Sequence, residues 1–415
     1  MSTRGQHLLR GGLLFANGSG VLGRLFARSF SIVLDQIEER LETGGVDLVL
    51  PDGSLRRIGF KSDGPVAIVR LHSWYALVRL VTSGSIGWYR AWTKGEWSSP
   101  DPVRLFELFT ANARSLGDTG RARGTARLLN AIKHRRRDND LIHARENIAA
   151  HYDLGNDFYA AWLDDTMTYS SARFAKSDES LASAQLRKVR TLLDRLDLQP
   201  GDRLLEIGCG WGTLAIEAAR RGANVVGLTL SNEQKAWADR RVQEEGLADL
   251  VEIRLQDYRE VSERFDAVAS VEMVEAVGQR WWPVYLDGIA RNLKPGGRAA
   301  LQYISIDHEI FDGYVRNPDF IQAYIFPGGM LIDEPTFEGL AKERGLSWDD
   351  RDGFALDYAR TLANWRERYD AAVARSALTE FDEAFHNLWR YYLMYCEGGF
   401  RGRAIDVAQV TMTKA

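Results

Sequence analysis

Residues 201–212, Gly-Asp-Arg-Leu-Leu-Glu-Ile-Gly-Cys-Gly-Trp-Gly, constrain the fold more than any other stretch of the chain. The apolar residues Leu204, Leu205 and Ile207 read as a buried strand, the glycines at 208, 210 and 212 as a turn, and Thr213–Arg221 as a helix. That order lets backbone amides and a helix start come close to a ligand, because glycine has no Cβ to hold it away. The spacing is Gly-x-Gly-x-Gly rather than Gly-x-Gly-x-x-Gly, and an acid, Glu206, precedes it. A dinucleotide fold would also carry an acid at the end of its second strand. Here that strand, Asn224–Leu230, ends Leu-Thr-Leu and runs into Ser231. NAD binding loses ground, and a bare tight turn between strand and helix stays open.

The flanking sequence repeats the alternation. Helices are expected at Leu181–Leu196 and Asn232–Glu245, with strands at Arg203–Ile207, Val251–Leu255, Phe265–Val271 and, after the Lys294-Pro-Gly-Gly turn, Arg298–Tyr303. Strands alternating with helices predict a doubly wound, Rossmann-like α/β domain whose ligands sit at the carboxyl ends of a mainly parallel sheet. The final run, Ala404–Thr413, reads as an edge strand of that sheet.

At 415 residues the chain is too long for one ordinary domain, and 45% apolar residues supply ample core. Residues 1–118 predict a smaller α+β domain, with an amphipathic helix over Leu22–Leu41 and alternating segments at Val46–Phe60 and Val66–Leu71. Trp74, Tyr75, Trp88, Tyr89, Trp92 and Trp97 follow, a cluster that is either core or a surface meeting lipid. Residues 119–146 read as a linker, with seven Arg or Lys side chains and no acid between 119 and 137. They form either a solvated spacer or a contact for an anionic membrane, where each basic residue is worth on the order of 1 kcal/mol.

A net charge of −4 argues against nucleic-acid binding, and no apolar run is long enough to span a bilayer. Leu13–Ala16 is too short for the core of a signal peptide. Two cysteines, Cys209 and Cys396, give neither a disulfide framework nor a cysteine zinc site, so no metal is expected and a cytoplasmic location fits.

From His151 to Phe174 the sequence is His-Tyr-Asp-Leu-Gly-Asn-Asp-Phe-Tyr-Ala-Ala-Trp-Leu-Asp-Asp-Thr-Met-Thr-Tyr-Ser-Ser-Ala-Arg-Phe, in which polar residues interrupt every apolar stripe. This stretch, with the glycine loop, resembles the cyclopropane-fatty-acid synthase family of S-adenosylmethionine (SAM) methyltransferases, which includes the mycolic acid synthases. The resemblance runs from about residue 147 to the end of the chain and implies a SAM-dependent methyltransferase domain over 147–415. Less specifically, the N-terminal region resembles the family's accessory lipid-binding domain. By resemblance, Tyr169, Ser170, Gly208 and Gly210 line the methionine region beside Glu206, Thr229 and Gln234 lie by the ribose, and Gln256, Asp257 and Tyr258 frame the adenine.

Methylation of an alkene leaves a cation on the chain, and a base must then remove a proton. The family's base is thought to be a bound bicarbonate held by a cysteine, a glutamate, a histidine, a backbone amide and a tyrosine. Carried across, the glutamate is Glu275, the backbone position Ile304 and the tyrosine Tyr358, while Ser171 stands at the cysteine position and Gln302 at the histidine position. Serine and glutamine can still hydrogen-bond an anion, but glutamine cannot take up a proton. Methyl transfer is thus expected and ring closure put in doubt. Glu272, at a strand end, could face the cofactor amine or be a simple cap.

The aromatic insertion 309–331 is implied as the wall of an acyl tunnel, with Phe320, Tyr324 and Phe326 as lining, or else a cap on the sheet that binds nothing. The implied substrate is an unsaturated acyl chain of a membrane phospholipid, modified to a cyclopropane, a methylene or a methyl-branched product by a peripherally bound enzyme. A homodimer stays open. A small-molecule N-methyltransferase and a non-catalytic SAM- or lipid-binding protein are the rival readings.

Overall fold

The computed structural model describes residues 4–11, 30–117 and 154–415. The basic segment 119–146 and His151–Asp153 lie outside the described residues, as does most of the first half of the helix expected at Leu22–Leu41, whose described part is Phe30–Arg40. The chain forms two compact units.

The first unit is built on a four-stranded sheet of β1 (Gly45–Val49), β2 (Leu55–Gly59), β3 (Val66–Leu71) and β4 (Trp97–Ser98), in the order β2-β1-β3-β4. β1 is antiparallel to β2 and parallel to β3. The period-2 alternation of a half-buried strand is plain in β3, where Ala67, Val69 and Leu71 are buried while Val66 and Ile68 face out. Most of the aromatic cluster falls on helix Tyr75–Thr93, which breaks at Gly84, where φ is +57°. Trp88 and Trp97 are buried and stack at 4.5 Å, and the Trp97 indole donates to the Trp88 carbonyl at 2.9 Å. Core is therefore the right reading for these two, while Trp74, Tyr75 and Trp92 are half-buried.

Two later segments, Asp307–Pro327 and Thr379–Ile405, belong to this first unit. A single boundary near residue 118 therefore does not describe it. The reason lies in packing: Tyr391 of helix Glu383–Arg401 meets Tyr89 at 4.9 Å and Phe106 of helix Pro102–Ala111 at 5.3 Å. The two helices cross where Gly398 lies, since a Cβ there would come within 2.4 Å of Phe106 Cβ and 2.7 Å of the Val103 carbonyl. The Glu-Gly-Gly-Phe-Arg stretch is thus the end of a helix, where a missing side chain permits the crossing.

The second unit carries a seven-stranded sheet of β5 (Arg203–Ile207), β6 (Asn224–Thr229), β7 (Val251–Leu255), β8 (Phe265–Val271), β9 (Leu293–Ile306), β10 (Asp349–Gly353) and β11 (Ile405–Thr413). Its order is β10-β11-β9-β8-β5-β6-β7, with β5 through β9 parallel where they pair and β10 antiparallel to β11. The doubly wound expectation holds, with helices Leu181–Asp194, Thr213–Ala219 and Asn232–Glu244 in place. Two details differ. β9 begins at Leu293 and runs through the Pro-Gly-Gly turn, with a shift of register between Phe265↔Leu293 and Ala267↔Arg298. β11 is not an edge strand; it lies between β9 and β10, and the charged, mostly exposed Asp-Asp-Arg-Asp-Gly of β10 forms the edge. Charge on an edge strand discourages pairing with a further strand.

Candidate active site

The site elements lie at the carboxyl ends of β5, β6, β7 and β8. Gly208, Gly210 and Gly212 all have positive φ, +83°, +52° and +87°, a region that favours glycine. A Cβ at Gly208 would come within 2.9 Å of Met273 Cγ. The amides of Gly208 and Cys209 do not wait for a ligand, as both donate to the Leu228 carbonyl, at 3.1 and 2.8 Å. They lock the loop onto β6.

Behind the loop, Glu206 is buried, and its Oε2 has no hydrogen-bond partner among the described residues. Burial pushes its carboxyl up to about 8, against the pull of Lys188. Ser170 Oγ accepts from Lys188 Nζ at 2.6 Å, and Tyr169 sits among Tyr159, Trp162 and Trp365 at 5.3 to 5.7 Å. At the end of β6, Thr229 Oγ1 donates to Gln234 Oε1 at 2.9 Å, and Ser231 caps the following helix by accepting from the Gln234 amide at 3.2 Å. Gln256 is tied to this edge through its amide, which donates to the Thr229 carbonyl at 3.2 Å. Asp257 is buried and gripped by Arg259, whose Nε and Nη2 donate at 2.8 and 2.7 Å, and Tyr258 lies edge-on to Tyr285 at 5.5 Å. Burial raises the Tyr258 phenol to about 12.

A buried carboxylate oxygen still to be satisfied, a cradle at Gly208 that no side chain could share, and a polar shelf at Thr229 and Gln234 suit a ligand bearing an amine and ribose hydroxyls. SAM is such a ligand.

A second cluster follows β8. Glu272, at φ +48°, accepts from the Ser171 amide at 2.9 Å, from Gln302 Nε2 at 2.7 Å and from the Tyr358 hydroxyl at 2.7 Å. Gln302 is in turn held by Gln409 of β11, whose Nε2 donates to its Oε1 at 3.0 Å. Glu275 accepts from the Ile304 amide through Oε1, while its Oε2 is buried without a partner among the described residues. Burial raises both carboxyls. Glu275 is pushed up to about 8 by desolvation and by the neighbouring Glu272 charge. Glu272 rises against opposing influences, the Lys188 charge first and then the Ser171, Tyr358 and Gln302 hydrogen bonds.

The five positions expected to hold an anion do come together, but around protein carboxylates. The Ser171 hydroxyl is turned to the Ala172 carbonyl at 2.9 Å, so Ser171 contributes its amide instead. Sequence reasoning underrated Glu272 and missed Lys188, although a lysine at a core-facing position of helix Leu181–Asp194 is a signal that could have found it. Phe320, Tyr324 and Phe326 belong to the first unit. Phe320 is enclosed by Tyr89, Tyr391 and Tyr395 at 4.8 to 5.5 Å, the Tyr324 hydroxyl accepts from Arg90 Nε at 3.3 Å, and Phe326 is half-buried against Tyr392 at 6.2 Å. Among the described residues there is no cluster of side chains that could hold a metal, and no helix long and apolar enough to cross a membrane.

The family model for mycolic acid cyclopropane synthetase matches residues 139–410. The tuberculostearic acid methyltransferase UfaA1 of Mycobacterium tuberculosis is 39% identical over 345 residues, covering 81% of this chain and 80% of that protein. The cyclopropane-fatty-acyl-phospholipid synthase of Escherichia coli K12 is 36% identical over 374 residues, covering 87% and 91%. Among solved structures, the mycolic acid cyclopropane synthase CmaA1 complexed with SAH and CTAB aligns with a TM-score of 0.61 at 31% identity, over 65% of this chain and 98% of that one. The loop, the polar shelf and these relatives lead to one statement: the chain belongs to the mycolic acid cyclopropane synthetase family and is a SAM-dependent methyltransferase.

Proposed function

We propose that the enzyme adds a methyl carbon to the double bond of an unsaturated fatty-acyl chain, within a phospholipid, and that Glu272 serves as the base, giving a methylene or methyl-branched chain. The observation that carries this reading is the convergence of Ser171, Gln302 and Tyr358 on Glu272, together with the Ile304 amide on Glu275. Three residues at the positions implied for an anion, Ser171, Gln302 and Tyr358, thus donate to a carboxylate of the protein itself.

When bound, SAM supplies an electrophilic methyl group. Glu206, Ser170, Thr229 and Gln234 would hold it. The alkene's electron pair would form the new carbon–carbon bond as the methyl's bond to sulfur breaks and S-adenosylhomocysteine leaves, and a proton would then depart from the alkylated chain. Glu272 Oε1 already accepts two hydrogen bonds and Oε2 one, so Oε2 keeps a lone pair for that proton. Glu275, with a single donor, carries its proton at neutral pH and leaves the negative charge to its neighbour. The three donors on Glu272 favour its charged form, so the base role falls to Glu272 and not to Glu275. Phe320, Tyr324 and Phe326 are proposed to meet the acyl chain, with the half-buried Phe326 the most accessible of them. Peripheral contact with the membrane belongs to the same proposal.

Cyclopropane formation is the second reading, favoured by the likeness to the Escherichia coli synthase. The test is mass spectrometry of fatty acids from a bacterium without such enzymes, expressing this chain and fed methyl-deuterated methionine. A methylene product retains two of the three labels and a methyl-branched olefin all three; either supports the proposal. A chromatographically identified cyclopropane would establish the second reading, and an unlabelled lipid pool would overturn both.

A further inference from the structure

The core-facing side of helix Leu181–Asp194 carries two polar residues, Gln185 and Lys188, among Ala184, Val189 and Leu192. Lys188 is 1% exposed. An ammonium so placed is costly unless its surroundings compensate it. Its Nζ donates to Ser170 Oγ, and the acids acting on it are, in order of influence, Glu272, Asp164 and Glu206. Gln185 Nε2 holds the same segment through the carbonyls of Ser170 and Thr168, at 2.8 and 3.2 Å. β11 contributes Gln409, whose amide donates to the Lys188 carbonyl at 3.2 Å. Glu272 in turn faces Tyr358 and Gln302, and its charge acts on the neighbouring Glu275. One cation thus stands behind both the cofactor loop and the second cluster, bonded to Ser170 and acted on by Glu272 and Glu206.

We propose that Lys188 is a positioning residue for methyl transfer, a buried counter-charge that keeps Glu272 ionised as a base and fixes the Ser170 hydroxyl as a donor into the cofactor site. The inference rests on the assignment of Glu272 as base. Because Lys188 donates to Ser170 Oγ, the hydroxyl proton is turned away from the lysine and toward whatever the loop binds. Because the Lys188 charge is the largest influence opposing the upward push of burial on Glu272, its removal must make Glu272 harder to ionise.

The test is the pH profile of kcat/KM, measured as S-adenosylhomocysteine release on vesicles of dioleoyl phosphatidylglycerol, for wild type, K188M, K188R and E272Q. A base that must be ionised sets the acid limb. In K188M that limb should move to higher pH by about one to three units, the range set by losing a nearby opposite charge, and K188R should bring it back. A purely structural lysine would lower the rate at every pH and leave the limb in place. An unmoved limb in K188M with E272Q inactive would overturn the role of Lys188 and spare that of Glu272, whereas a fully active E272Q would overturn both. Should K188M not fold, lysine ¹³Cε NMR of the wild-type chain decides. One lysine should titrate below the ordinary value of about 10.4 and move lower still in E272Q, where the opposing carboxylate is gone. If no lysine responds to E272Q, the inference fails.

Discussion

Glu272 shows how little of a site one residue's sequence context reveals. It sits at φ +48°, a conformation that costs a residue with a side chain roughly 1–3 kcal/mol and persists where surrounding contacts enforce it. Those contacts come from Ser171, Gln302 and Tyr358, residues 30 to 101 positions away. The sequence places Glu272 at a strand end and allows a cap; only the fold makes it a hub. Lys188 was missed although a signal existed, because a charged residue on a buried stripe needs an explanation wherever the stripe can be read. Glu275 yields a prediction at this scale. Its carboxyl is raised to about 8, so it is protonated below that pH and ionises above it, adding repulsion beside Glu272. Glutamine imitates the protonated form and can still accept from the Ile304 amide. E275Q should therefore keep activity within about tenfold near neutral pH, since general acid–base roles are worth 10²–10⁴, and should lose the wild type's titration near pH 8. A thousandfold loss at neutral pH would instead make Glu275 a working acid or base.

At the scale of elements, periodicity did well wherever the pattern was local. The alternation of β5 to β8 with their helices could be read almost to the residue, since apolar runs bounded by Gly, Asn and Pro have few other interpretations. β10 could not, because Asp-Asp-Arg-Asp-Gly has no apolar residue and becomes a strand only by pairing with β11. The end of helix Glu383–Arg401 is hard to read for the opposite reason: two glycines suggest a turn, yet here they lie in a helix pressed against another. The contact predicts a difference between neighbours. A methyl at Gly398 would strike Phe106 Cβ and backbone atoms, whereas at Gly399 it would meet only the movable tip of Ile405 at 3.0 Å. Alanine is the better helix former by up to about 1 kcal/mol. Even so, G398A should lose about 1–3 kcal/mol to overpacking, and G399A should be near neutral, as read by chemical denaturation. Equal stabilities would remove the crossing from the account.

For the whole molecule, the division into units was the least legible property. A sequence is read in order, but the first unit takes parts of its core from segments more than two hundred residues beyond its sheet. No local signal announces that Tyr391 will pack on Tyr89. The consequence is testable with a fragment. Residues 1–118 alone lack Phe320, Tyr391 and Gly398, and should give the circular dichroism and NMR of an unfolded or molten chain. A well-dispersed spectrum from that fragment would show that the later segments are additions to a self-sufficient domain.

β11 has a bearing on how the enzyme is made. It is the last strand of the sheet to emerge from a ribosome, yet it occupies an interior place, and Gln409 on it reaches both Gln302 and the Lys188 carbonyl. A nascent chain that has not passed residue 409 leaves a gap between β9 and β10 and an unfinished network behind Glu272. Assembly of the base's surroundings thus waits for β11 to take its place, long after the glycine loop and its neighbouring strands have been made.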